Sequence, residues 1–461
     1  MGKVSGRDIT KGSIWKNLLI YFFPIWFGSI FQQMYTTVDA VVVGRFVGKA
    51  ALAALGGTSS LLVDLSVGFF IGASAGAGVV VSHCYGAKDH ERLKYAVYAS
   101  MKLALICGAA LMAIGILVTP TALRWMNTPE DVMDGATLYL RVYFCGVIPS
   151  LLYNMGSGVL RAIGDAKRPL YFLILTTAVN IVLDVLFVAV FKMGIFGAAL
   201  ATILAQASSA VFVLRTLLRT KESYRLVLSG CKSYPEVFQQ IVRLGLPSGF
   251  QYMLYTVSNL VIQARVNLLG TDVAAAWAVI SKLDGIFWLT MTAFGTAMTT
   301  FTGQNYGAGK MDRVRRGMYV GIGISVGLTA GICLPLLIFA RPLLSIFTAD
   351  ATVLTLGLQY TFFLVPTYFT YTGTELLGGV IKGAGNSFVP MVITGVSGFA
   401  IRSLWAVFVP MIWPGMNTIM LSYPISWSVS TILFIWHYNF GSWMKSGGNG
   451  QAKEKGGLTW Q

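Results

Sequence analysis

The chain has 461 residues, 55% of them hydrophobic and only 11% charged, with a net charge of +16. Ordinary globular domains carry about 25% charged residues, so this composition excludes a water-soluble chain. Lys and Arg fall in alternate loops, which reads as membrane topology rather than a nucleic-acid surface, and the five cysteines show neither a metal spacing nor a disulfide framework.

The N-terminus is basic, with Lys3, Arg7, Lys11 and Lys16, and is expected on the cytoplasmic side. The first apolar stretch, Ile14 to Val43, is too long for a core helix or a signal peptide and suits a membrane span. Pro24 removes one backbone hydrogen bond inside it, so the helix can bend there. Asp39 stands about four turns further on, where a carboxylate is costly unless it is paired, protonated or bound to a cation, or lies at headgroup level.

Further spans are predicted over 51–83, 95–118, 135–157, 169–191 and 194–217, then 237–268, 273–303, 317–340, 352–380, 389–412 and 417–439. The predicted organisation is an N-lobe over 1–218, a cytoplasmic linker over 219–236, a C-lobe over 237–440 and a disordered Gly/Lys-rich tail over 441–461. About twelve helices put both termini on one side. The cytoplasmic loops would then carry Lys88, Arg92 and Lys94, Arg161, Lys167 and Arg168, Lys310, Arg313, Arg315 and Arg316, and Lys382.

The two halves repeat. Tyr85-Gly86-Ala87 recurs 221 residues later as Tyr306-Gly307-Ala308, and Gly158-Val159-Leu160-Arg161 as Gly379-Val380-Ile381-Lys382. Six spans separate equivalent positions, so the copies share one orientation, as parallel repeats do. The fold expected is an all-α polytopic membrane protein of two pseudo-symmetric six-helix bundles.

No phosphate loop, dinucleotide fingerprint or zinc-protease motif is present, and three scattered histidines make a weak acid–base case. The chain is therefore read as no enzyme. The polar residues inside the spans are more informative. Asn180 and Asp184 stand four residues apart on one helical face of the fifth span. With Asp39, and with Asn154 and Thr202 in the same half, they form a candidate oxygen-rich site for a proton or a small hard cation. The alternative is that Asn180 and Asp184 hydrogen-bond neighbouring helices as packing contacts. The second half replaces this set with Glu375 and Arg402, expected near mid-membrane and close enough to form an ion pair. Lys282 and Asp284 are two apart and cannot share a face, and Asp64 has no assigned place.

Val38-Asp39-Ala40 with Val43-Gly44-Arg45, the Tyr85-Gly86-Ala87 loop, and Leu160-Arg161-Ala162 followed by Gly164-Asp165 resemble the multidrug and toxic compound extrusion (MATE) family across nearly the whole chain. The resemblance implies a V-shaped twelve-helix fold and cation-coupled efflux of drugs and other organic cations. Asp39, Asn180, Asp184, Asn154 and Thr202 match the H⁺ or Na⁺ site of its DinF-like branch. Pro24 matches the first-helix proline at which bending is placed. The other branch uses carboxylates on the seventh and tenth helices, where this chain has Tyr255, and Glu375 one turn away from the expected position.

The reading is an antiporter driven by H⁺ or Na⁺, with no other cofactor and no other metal. It would export organic cations by alternating access as a monomer of the cell membrane, with Glu375, Arg402, Tyr255 and Lys282 as further polar or substrate contacts. The alternatives are a flippase of lipid or polysaccharide precursors, a polytopic membrane enzyme and a channel.

Overall fold

The structure, a computed structural model, describes residues 8–228 and 232–441. The expected tail beyond Gly441 and the basic residues Lys3 and Arg7 lie outside the described residues. Within them no strand occurs. The first half contains α1 (Ile14–Phe46), α2 (Lys49–Leu55), α3 (Gly57–Gly86), α4 (His90–Trp125), α5 (Glu130–Cys145), α6 (Val147–Ala162), α7 (Lys167–Asp184) and α8 (Gly194–Arg219). The second contains α9 (Pro235–Asn267), α10 (Thr271–Gly307), α11 (Met311–Ile338), α12 (Ala340–Ser345), α13 (Ala351–Leu364), α14 (Phe369–Gly383), α15 (Phe388–Thr394), α16 (Arg402–Phe408) and α17 (Met416–Phe440).

Local chemistry sets several of these boundaries. Asp89 caps α4 by accepting from Arg92 N at 3.0 Å, and Asp350 caps α13 by accepting from Thr352 N and Val353 N at 2.8 and 2.9 Å. Asp165 plays the same part before α7, accepting from Arg168 N at 3.1 Å. A π-helical segment, Val185–Val190, continues α7, and another, Gly395–Ile401, joins α15 to α16.

Among the described residues, nine helices are long and apolar enough to cross a membrane, and α5 with α6, bent by 50°, makes a tenth. The two other predicted spans are helical but do not meet that measure, one for its polar residues and the other because it is broken into two short helices. Gln239, Gln240, Arg243, Gln251 and Arg265 interrupt the apolar character of α9, while a 3₁₀ turn over Val365–Tyr368, containing Pro366, separates α13 from α14.

By packing, the chain divides into two compact units. One holds Phe23–Gly249; the other holds Ile9–Phe22 and the described chain from Phe250 to Gly441. The lobe limits predicted from span order follow the chain, whereas packing divides α1 just before Pro24 and α9 just after Pro247.

Inside a bilayer the lipid is as apolar as the side chains, so helices associate through close packing at small residues. In the first unit, a Cβ on Gly76 of α3 would run into the backbone of Leu244 and Gly245 in α9. Repeat-related contacts recur. Thr176 and Ser209 share a hydrogen bond at 2.6 Å between α7 and α8, and their counterparts Ser397 and Ser430 are bonded likewise in the second unit.

Candidate functional site

The upper part of α1 brings Asp39 into the first unit, where α7 presents Asn180 and Asp184 one turn apart and α8 presents Thr202. All four side chains are buried; Asn180 and Asp184 are fully so, and Asp39 is 8% exposed. Asp39 and Asp184 lie within mutual electrostatic reach, and Asp184 is directed towards Asn180. Even so, Oδ1 of Asp39, both carboxyl oxygens of Asp184 and both amide atoms of Asn180 close no hydrogen bond among the described residues.

Among the described residues, no Lys or Arg forms an ion pair with either carboxylate. The ion pairs recorded lie towards the loops, such as Arg92 with Asp89 and Arg168 with Asp165. An unpaired carboxylate at the centre of a span costs about 3 kcal/mol even on the most lenient insertion scale. Two of them side by side constitute a strong demand for positive charge. The donor set is all oxygen, with no cluster of His, Cys, Asp and Glu suited to a transition metal among the described residues. It therefore fits a proton or Na⁺.

Thr202 and Asn154 are partly satisfied locally. Thr202 Oγ1 donates to Ala198 O at 3.0 Å, and Asn154 Nδ2 donates to Ser150 O at 2.9 Å, each one turn back on its own helix. Asn154 is half-buried.

Sequence reasoning missed an aromatic wall around the acids. Tyr35, one turn before Asp39, meets Thr202, and Tyr139 lies within electrostatic reach of both Asp39 and Asp184. Tyr143 packs on Tyr139 with ring centroids 6.0 Å apart, meets Gln206 and interacts with Asp64, which is exposed on α3. The spacing of Tyr35 and Asp39 on one face was the available signal.

In the second unit the expected ion pair between Glu375 and Arg402 is absent. Glu375 accepts from the Tyr371 hydroxyl at 2.8 Å and interacts electrostatically with Lys382. Arg402 instead donates from Nε to Ser426 Oγ at 3.1 Å and lies over the Tyr423 ring, 4.7 Å from its centroid. The guanidinium is diverted because aromatic faces on α17 offer cation–π contact while Tyr371 has already claimed the carboxylate. Tyr255 joins this group through Thr394 and Tyr371. Lys282 is exposed, whereas Asp284, two residues on, is buried and accepts from the Tyr368 hydroxyl, as opposite faces require.

Known proteins share this architecture. The MatE family profile matches residues 24–186 and 247–405, one match in each half. The chain is 27% identical to the probable multidrug resistance protein YoeA of Bacillus subtilis (strain 168) over 445 residues, covering 94% of this chain and 95% of that protein. It is 28% identical to YpnP, also a probable multidrug resistance protein of that organism, covering 95% and 97%. A solved structure of MATE in the bent conformation superposes with a TM-score of 0.89 at 20% identity, covering 97% of this chain and 100% of that one. At that identity the likeness speaks for the fold.

Proposed function

This chain belongs to the MatE family, and on that premise we propose that it exports organic cations, drugs among them, in exchange for H⁺ or Na⁺. It is a polytopic membrane transporter and not an enzyme. The observation that carries the coupling is the buried pair Asp39 and Asp184, which among the described residues has no basic partner and leaves carboxyl oxygens without hydrogen bonds. The names of the relatives, as multidrug resistance proteins, support the class of cargo.

Asp39, Asp184, Asn180 and the Thr202 hydroxyl would hold the coupling cation, with Asn154 as an accessory polar group. One acid comes from α1 and the other from α7, so filling the site draws the upper arm of α1 onto its own unit. The lower arm, Ile9–Phe22, packs with the second unit, and Pro24 lies two residues beyond it. The missing backbone hydrogen bond makes Pro24 the position of least resistance to bending. Coupling then requires that the ion favour one arrangement of α1 and the cargo the other.

The test is dye efflux from vesicles under pH and Na⁺ gradients imposed separately. Asp39→Asn and Asp184→Asn should each reduce gradient-driven export to the level of protein-free vesicles while the protein still inserts and purifies. Export that persists in both variants would remove this site from the mechanism. The gradient that drives the wild type identifies the coupling ion.

A further inference from the structure

The second unit contains a buried charge of opposite sign. Arg402 is 2% exposed, in the interior of the span 388–411, directly after the π-helical segment Gly395–Ile401. In the first unit Asp184 likewise adjoins the π-helical segment Val185–Val190 of the fifth span. Such segments widen the backbone locally and recur at functional sites. The duplicated scaffold therefore sets an acid beside one segment and a guanidinium beside the other.

Arg402 has no carboxylate partner among the described residues. The two nearby acids are engaged elsewhere, Asp284 with Tyr368 and Glu375 with Tyr371 and Lys382. Cation–π contact with Tyr423 and Trp427 and one hydrogen bond to Ser426 do not neutralise a guanidinium. Its Nη2 is buried without an acceptor, and so is the indole Nε1 of Trp427, itself 2% exposed. The guanidinium carbon lies 5.9 Å from the centre of that indole ring, so the two side chains are neighbours. Orphaned donors on two neighbouring side chains, one of them permanently charged, call for a negative acceptor more than for a neutral one.

We propose that Arg402 Nη2 and Trp427 Nε1 form a binding site for a small monovalent anion, either an inorganic halide or the carboxylate of an anionic or zwitterionic cargo. This inference does not rest on the cation coupling of the first unit.

The test uses the full-length protein purified in detergent, with thermal unfolding followed against sodium chloride and, separately, sodium benzoate as a carboxylate probe, the sodium concentration being held constant with sodium sulfate so that only the anion varies. The wild type should show a saturable rise in unfolding midpoint with at least one salt. Arg402→Gln should lose the saturable component and keep the general salt response. Trp427→Phe, which keeps an aromatic face and removes the indole N–H, should raise the half-saturating concentration roughly tenfold. Saturation by chloride alone identifies an inorganic anion, and saturation by benzoate identifies a carboxylate. If Arg402→Gln does not fold, the Phe variant still decides. A wild type whose midpoint shows no saturable rise with either salt, or a Phe variant that saturates at the same concentration as the wild type, overturns the proposal.

Discussion

At the scale of single residues, burial and pairing separate carboxylates that look alike in sequence. Asp39 and Asp184 are buried without cations and belong to the proposed ion site, whereas Asp284 is held by a tyrosine. Asp165, in the turn between α6 and α7, is a structural acid. It caps α7 and pairs with Arg168 Nε at 3.2 Å, and its side chain is fully buried. Burial raises its carboxyl above the ordinary value, with the Arg168 amide and guanidinium pulling the other way. A folded-state value above the unfolded one means that stability is present at low pH and lost as pH rises through the folded value. Asp165→Asn keeps the cap without the buried charge, so from pH 4 to pH 7 its unfolding midpoint should gain on that of the wild type. Asp165→Ala, which loses the cap, should cost about 1 kcal/mol at either pH. Thermal unfolding of the three proteins in detergent, at both pH values, checks both statements.

At the scale of elements, α1 carries the proposed coupling because its two arms are held by different groups. The lower arm is fastened near its start. Lys310 Nζ donates to Thr10 O at 2.8 Å, Arg313 Nη2 donates to Lys11 O at 3.0 Å and to Ile9 O at 3.3 Å, and Ile9 N donates to Gln304 Oε1 at 3.3 Å. Further along, the Tyr21 hydroxyl bonds Thr300 and Phe22 packs edge-on to Phe294. This anchorage gives the arm a fixed end against which bending at Pro24 can act. Replacing both Lys310 and Arg313 by Met should accelerate hydrogen exchange at the Ile9 amide roughly tenfold, through loss of charge-assisted bonds at the strap. Exchange at amides within α7 should stay unchanged. An equal acceleration in both places would mean global destabilisation instead of a released strap.

At the scale of the whole molecule, the basic loops predict one orientation. Reporter fusions with alkaline phosphatase, active only outside the cytoplasm, should be active when joined after Asn127 and inactive after Ala308 or Gly441. The reverse pattern would place both ends outside. The repeat gives the molecule two related scaffolds with unlike contents: an acid, facing a second one on α1, beside the π-helical segment of the fifth span, and beside its counterpart a guanidinium with no carboxylate partner among the described residues.

The sequence by itself determined the helical membrane class, the duplication and the identity of the proposed acids. Each of these is local or periodic: apolar runs of span length, motifs repeated at a constant offset, and carboxylates placed where lipid makes charge costly. Asn180 and Asp184 were legible as a pair because one helical turn fixes their common face. Of the tyrosine wall only Tyr35, one turn from Asp39, carried a local signal; Tyr139 and Tyr143 look like any of the chain's many aromatic residues until helices are docked. Only the tertiary structure decided that Asp39 meets Asp184, that Glu375 turns to Tyr371 while Arg402 turns to Tyr423, and that packing divides α1 and α9. Which faces of distant helices meet depends on close approach at small residues such as Gly76 and Gly245, and no local pattern in the chain encodes that choice.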